Sequence, residues 1–297
     1  MTTELRYCKN CGIELHGEYC SACGQRDKDL YIPVKELAGE FIEVIPSFDQ
    51  RMFRTFRSLL LEPGRLTAEY LSGKRKKYLS PFKFYLFISF LFFFVDSLSL
   101  SESKKELRSE FANMDSSITV INGDSSAVSL RSRRSNVVFT IADTAKVEKL
   151  FGRRFLEGFR STRNDPEEFF NKVKEHLPKI VFLLLPVFAL LLKLVYIRLK
   201  ILYIRHLVFS FYFHSFIFFI LLIDTLFEMV MPKGTHLYGN IIMLSIPVYL
   251  YAGLKNAYHQ SAWKTGIKFL LLSLSHAIIF FLSLTLFVVV TVLLFFS

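Results

Sequence analysis

Four cysteines fall in the spacing Cys8-x2-Cys11-x8-Cys20-x2-Cys23, with Gly12 and Gly24 directly after the second cysteine of each pair. Two residues between thiolates let one tight turn direct both sulfurs at one ion, and the glycine lets backbone N–H groups approach them. The chemistry this pattern offers is tetrahedral binding of a thiophilic metal, with Zn²⁺ expected as a structural cofactor; disulfides or another soft metal are the alternatives. A closed shell of four thiolates leaves no open position for substrate, so the site reads as structural. Lys9 and Arg26 lie close in sequence and offset thiolate charge. So short a segment has little core of its own, and metal binding would supply most of its folding energy. A redox CxxC fits poorly, because there are two pairs and no βαβ context.

The elements that must carry this module follow it. The first residues stay polar, with no basic stretch leading into an apolar one, so no cleaved leader is expected. Residues 1–31 read as the four-cysteine, zinc-ribbon-like module and 32–80 as basic amphipathic helices. An apolar face recurs over 33–45, where Val34, Leu37, Phe41 and Ile45 align, and Pro46 ends it. A second helix, 48–61, places Phe48, Met52, Phe56, Leu59 and Leu60 on one side and carries Arg51, Arg54 and Arg57. Glu62-Pro63-Gly64 is a stop, a third helix covers 65–71, and Lys74, Arg75, Lys76 and Lys77 follow Ser72-Gly73. These seven cations are expected to bind anionic lipid at the cytosolic membrane face. Positive-inside anchoring accounts for the basic cluster without nucleic acid.

Hydrophobic residues make up 52% of the 297 and charged residues 21%, with 33 Phe. The charges are unevenly placed: residues 1–80 hold 13 Lys/Arg and 11 Asp/Glu, while everything from Ile180 on holds 8 and 2. That excludes a purely soluble enzyme, a disordered chain and a disulfide mini-protein. Apolar runs over 81–100, 180–197, 207–231, 237–254 and 267–296 reach or approach the roughly 20 residues that cross a bilayer. The last is long for one span, and is expected to be one tilted or protruding helix. The fold expected is an all-α polytopic membrane protein of about five transmembrane helices. It carries the small zinc-ribbon-like module and a small mixed α/β or irregular extracytoplasmic insertion.

Lys/Arg placement sets the orientation. Arg198, Lys200 and Arg205 occupy one short link and Lys255, Lys264 and Lys268 another, whereas the link between 231 and 237 holds Lys233 alone. The N-terminus is then cytosolic, 101–178 faces out and the C-terminus is extracytoplasmic. A reducing cytosol favours zinc over disulfides. In 101–178, strands are expected at 118–121 and 137–141 and helices at 144–163 and from Pro166 to 177. Within the spans, Lys193, His206, His214 and Asp224 are the polar candidates for function. Lys193 lies close enough to a span end to snorkel, and His214 is the best buried candidate. His276 reads as a helix–helix hydrogen bond.

Four features occur in order: Cys8-x2-Cys11-Gly12…Cys20-x2-Cys23-Gly24-Gln25; Glu62-Pro63-Gly64-Arg65 with Tyr70-Leu71-Ser72-Gly73-Lys74-Arg75-Lys76-Lys77-Tyr78 and Ser80-Pro81-Phe82-Lys83-Phe84-Tyr85; Leu184-Leu185-Pro186 with Lys193; and His206 to Ser210 with His214. This pattern resembles a family of uncharacterised bacterial membrane proteins, found mostly in Bacteroidetes and defined by a domain of unknown function. The resemblance implies a multi-pass bacterial inner-membrane protein with a zinc-ribbon-like start, and brings no established activity. Family members often carry a further His two residues before the position of His214, where this chain has Tyr212; that departure argues against a paired-histidine metal site.

The function expected is a non-enzymatic anchor, adaptor or sensor whose zinc module binds a protein partner. The alternative is a small-solute or ion transporter or channel using Lys193, His206, His214 and Asp224. Third stands a membrane-embedded enzyme, against which the sequence shows no HExxH or paired-carboxylate arrangement.

Overall fold

A computed structural model describes residues 6–27, 50–115, 128–131, 138–141, 166–230 and 236–295. Its elements are α1 (Gln50–Leu61), α2 (Arg65–Leu71), α3 (Pro81–Asp115), β1 (Val128–Arg131), β2 (Val138–Ile141), α4 (Pro166–Val195), a 3-10 turn (Ile197–Leu199), α5 (Tyr203–Val230), α6 (His236–Tyr258) and α7 (Ala262–Phe295). They form two compact units, one of residues 1–97 and 182–277, the other of 98–181 and 278–297.

Among the described residues, four helices are long and apolar enough to cross a membrane: Pro81–Leu98, His176–Val195, Tyr203–Phe227 and Ala262–Thr291. The expected fourth span, 237–254, forms helix α6 with Pro247 inside it but is not among those four; side chains of its first turns lie outside the described residues. The final apolar stretch is one unbroken helix, as expected, and its 34 residues reach about 51 Å at 1.5 Å per residue. Helix α3 runs well past its apolar part to Asp115, because no Gly or Pro follows Pro81 before Gly123 and Lys104-Lys105-Glu106-Leu107-Arg108 favours helix. Helix α4 joins two elements expected to be separate, passing through Pro178 and Pro186. At the second proline, two hydroxyls of α5 reach the turn: Tyr203 donates to the Pro186 carbonyl at 3.0 Å and Ser210 to that of Leu185 at 2.9 Å.

In the first unit α5 is central: 72% of its span is buried, against 6% of the α7 span. Every residue from Leu207 to Phe216 is buried, so the helix is enclosed on all sides. Its rings interlock with each neighbour: Phe211 meets Phe82 of α3 edge-on at 5.3 Å, Phe213 stacks on Phe188 of α4 at 5.4 Å, and Phe216 stacks on Tyr249 of α6 at 3.7 Å.

The two short helices pack on this bundle rather than standing apart from it. Helix α1 buries Met52, Thr55, Ser58 and Leu59, and Phe56 meets Phe84 at 5.0 Å and Phe219 at 5.5 Å, both edge-on. Such pairs contribute about 0.5–1.5 kcal/mol each beyond buried area. Leu60, expected on the apolar side, is exposed, and the small hydroxyl residues Thr55 and Ser58 take the close approach. Thr55 accepts from the Leu79 N–H at 3.0 Å, and Tyr212 donates to the Leu79 carbonyl at 3.0 Å. Pro63-Gly64 stops α1 against α6. Gly64 has φ +82°, and a Cβ there would stand 2.6 Å from the Gly253 carbonyl oxygen, while Asn256 donates to the Pro63 carbonyl at 2.8 Å. The backbones meet at a distance only glycine allows.

The second unit holds the outer part of α3, the start of α4, the end of α7 and an antiparallel hairpin pairing Val128 with Ile141 and Arg131 with Val138. The expected strand at 137–141 is present and its partner is 128–131; expectations for 118–121 and 144–163, like that for 33–45, lie outside the described residues. A helix does start at Pro166.

Candidate metal centre

The module consists of two turns built alike and offset by twelve residues. Cys8 N–H donates to the Ile13 carbonyl at 2.8 Å and Gly12 N–H to that of Cys8 at 2.8 Å; Cys20 N–H donates to Gln25 at 2.9 Å and Gly24 N–H to Cys20 at 2.9 Å. One ladder pair closes each turn, Tyr7 with Glu14 and Tyr19 with Arg26. An ion pair between Arg6 and Asp27, 3.2 Å, links the outer ends of the two turns. Cys8, Leu15 and Cys20 form the small buried cluster, with Cys23 against it.

The four sulfurs lie within 4.8 Å of one another, and all four cysteines are free. Across the two turns, Cys8 and Cys23 are 3.6 Å apart and Cys11 and Cys20 are 3.5 Å apart. A tetrahedral ion with metal–sulfur bonds of about 2.3 Å separates its sulfurs by about 3.8 Å, so the cluster fits a metal ion of that kind. The N–H groups of Cys23 and Ala22 stabilise the Cys20 thiolate and bring its pKa down to about 6. Cys11 accepts from Ile13 N–H, which lowers its pKa, yet desolvation and the other three sulfurs push it up to about 12. A cation among the sulfurs would replace the protons they now share.

The module is seated on the basic loop that leads into α3. Gln25 donates Nε2–H to the Gly73 carbonyl at 2.7 Å, and its Oε1 accepts from the N–H groups of Arg75 at 3.2 Å and Lys76 at 3.3 Å. Asn10, inside the first cysteine pair, accepts from Lys77 N–H at 3.2 Å. Gly73 has φ +104°, and a Cβ there would meet the Lys9 side chain at 2.8 Å. Lys9 therefore packs on the loop, while Arg26 lies over the Tyr19 ring and pairs with Glu18 at 3.3 Å.

Below the loop, Glu69 of α2 gathers cations. It pairs with Lys77 at 2.8 Å, Lys74 at 3.4 Å and Arg65 at 3.3 Å, and accepts from the Tyr78 hydroxyl at 2.6 Å; Arg65 also pairs with Glu62. Burial alone would raise the Glu69 pKa, but the hydrogen bonds from Lys77 and Tyr78 override it and hold the carboxyl at about 2. Arg54 and Arg57 are exposed on α1, and Arg51 is half-buried.

The polar candidates within the spans separate into different environments. His206 is buried and shares a 2.7 Å hydrogen bond between Nδ1 and the Tyr258 hydroxyl, while its Nε2 has no partner among the described residues. Tyr258 stacks on Tyr196 at 3.9 Å, and Lys268 Nζ lies 3.9 Å from the Tyr196 ring centre. His214 donates Nδ1–H to the Ser210 carbonyl one turn back at 2.8 Å and meets His276 and Phe188 edge-on at 6.0 and 5.2 Å. Lys193 is exposed, and Asp224 is half-buried. The structure thus places His206 with tyrosines and His214 with His276, and does not gather the four candidates into one site. Asn10 and Gln25 carry no signal in sequence for these contacts, since each stands in a cysteine motif and its partner lies in the 73–77 loop.

Among the described residues, four apolar helices of spanning length support a helical membrane protein, and the N-terminal cysteine cluster could hold a metal ion. Residues 49–93 match the model of a family described as a protein of unknown function (DUF3667). That match covers α1, α2, the 73–77 loop and the start of α3, and is less than a sixth of the chain. No curated protein and no solved structure matches the chain.

Proposed function

We propose that this chain is a non-enzymatic membrane anchor and adaptor or sensor of the bacterial inner membrane. In this reading a structural Zn²⁺, bound by Cys8, Cys11, Cys20 and Cys23 in the cytosol, clamps the base of the first span. The observation that carries the reading is the grip of Gln25 on Gly73, Arg75 and Lys76. Gln25 directly follows the Cys23-Gly24 turn, so whatever fixes the sulfurs also fixes the clamp. Loop 73–77 leads directly to α3, and α2 before it packs on α5 and α6. A change in metal state, or a partner bound to the module, would therefore act on the bundle through this loop. The seven cations Arg51, Arg54, Arg57 and Lys74 to Lys77 suit a cytosolic face of anionic lipid. The zinc ligands themselves leave no open position for catalysis.

Metal analysis of the purified full chain tests the zinc assignment. About one zinc per chain is expected, lost when Cys8 and Cys20 are changed to Ser; a metal-free protein with an intact clamp contradicts it. For orientation, a thiol tag at Gly123 should react from outside the cell and one at Lys200 should not. Crosslinking in native membranes would then identify what the module binds.

A further inference from the structure

Between the end of α4 and the start of α5 the chain turns beside α2, and a cavity of about 310 Å³ lies there, lined by Tyr70, Arg75, Leu199, Lys200, Ile204 and Arg205 among others. Three of its lining side chains are cationic and none is acidic. The other cations of the 73–77 loop are accounted for differently: Lys74 and Lys77 both pair with Glu69. Arg75 has no ion pair among the described residues, and its Nε is buried without a hydrogen-bond partner. A buried guanidinium N–H with no acceptor costs free energy that an anion in the cavity would recover. Lys200 and Arg205 likewise have no ion pair among the described residues.

Position narrows the ligand. The spans flanking the cavity end at Val195 and begin at Tyr203, so its walls lie where hydrocarbon gives way to headgroups. Leu199 and Leu202, both exposed, line it beside the cations. Apolar side chains next to a cluster of Arg and Lys at this level match a lipid phosphate with its glycerol end. The volume is at the small end of ligand pockets, enough for a headgroup but not for a large cofactor.

We propose that Arg75, Lys200 and Arg205 form a binding site for a phosphate oxyanion, in the chemical class of an anionic phospholipid headgroup or a free phosphate compound. The site rests on the membrane reading above but not on the zinc assignment. Because Gln25 holds the Arg75 backbone, the metal module also orients one of the site's three cations.

The test is native mass spectrometry of the full chain in neutral detergent, titrated separately with dioleoyl phosphatidylglycerol, dioleoyl phosphatidylcholine and inorganic phosphate. Retention of phosphatidylglycerol over phosphatidylcholine is expected. Changing Arg75 and Arg205 together to Gln should weaken it about tenfold or more, the effect of losing one or two charge-assisted hydrogen bonds. Phosphate binding that depends on the same residues, with no preference between the lipids, assigns the site to a soluble phosphate compound and still supports the chemistry. If the double variant loses its metal or its monodispersity, the single change Lys200→Gln at an exposed position serves instead, and Lys264→Gln, exposed on α7 and outside the cavity lining, is the control that should change nothing. Phosphatidylglycerol and phosphate binding that are both absent, or both unchanged in the double and Lys200 variants, would overturn the proposal.

Discussion

Gln25 holds the backbone of Gly73 across 48 residues of sequence, donating to its carbonyl at 2.7 Å. The same side chain accepts from the N–H groups of Arg75, which also donates to the Gly73 carbonyl at 2.9 Å, and of Lys76. One amide thus satisfies one acceptor and two donors on a loop whose glycine conformation and close contact with Lys9 leave no room for a side chain. The cysteine module and the base of the first span are joined through backbone atoms, so the joint does not depend on which basic side chains the loop carries.

Changing Gln25 to Ala removes all three bonds and should weaken the seating by about 1–3 kcal/mol. Trypsin should then cut after Arg75 and Lys76 several-fold faster, while the metal content of the chain stays unchanged. Cleavage equal to that of the unaltered protein would show that the clamp carries little of the docking.

Gly64 is a second joint of the same kind. Alanine there would combine φ +82° with a Cβ 2.6 Å from the Gly253 carbonyl, so α2 must move off α6. A loss of about 2 kcal/mol or more is expected, beyond the ordinary Gly-to-Ala effect. Thermal unfolding in detergent should show it, and Gly253→Ala, which meets the Phe209 ring at 3.3 Å rather than backbone, should cost less.

The Glu69 cluster makes the packing of α2 on the 73–77 loop acid-sensitive. With a folded pKa of about 2 against an ordinary value of 4.5, its stabilising contribution is fully present above about pH 4.5 and is lost as pH falls toward 2. Unfolding followed between pH 6 and 3 should show a destabilisation on acidification that is smaller in Glu69→Gln. An identical pH profile in that variant would mean other carboxylates control acid stability.

His206 and Tyr258 form a buried pair. Tyr258→Phe leaves Nδ1 of a histidine whose Nε2 already has no partner among the described residues, and should cost about 1–3 kcal/mol. In a double-mutant cycle, His206→Phe combined with Tyr258→Phe should cost clearly less than the sum of the singles. Additive losses would show that the hydrogen bond contributes little.

Much of this architecture was legible in the residues, and the rest had a physical reason to be hidden. The CxxCG spacing forecasts a cluster able to bind metal because two short turns determine it locally. The apolar runs forecast five spans, and among the described residues four helices have the length and composition for one, because those two properties are read directly from sequence. Helix α1 showed an apolar face, but periodicity cannot say what covers a face, and its cover is Phe84 and Phe219. The continuity of α4 was hidden because Pro178 and Pro186 are local stop signals, and the packing that carries the helix past the second, with Leu184, Leu185, Phe188 and Ala189 buried, is tertiary. The clamp was hidden most completely. Gln25 and Gly73 both stand in motifs, yet nothing in either motif encodes contact with the other, and the glycine's need is visible only when Lys9 is beside it.

The central claim, that metal in the cysteine cluster seats the module on the 73–77 loop, is tested most directly by hydrogen exchange at the N–H groups of Arg75, Lys76 and Lys77 in the full chain. With zinc bound, all three should be protected through Gln25 and Asn10, and chelation should raise their exchange by tenfold or more, about 1.4 kcal/mol. Protection that is unchanged when the metal is removed would contradict the account.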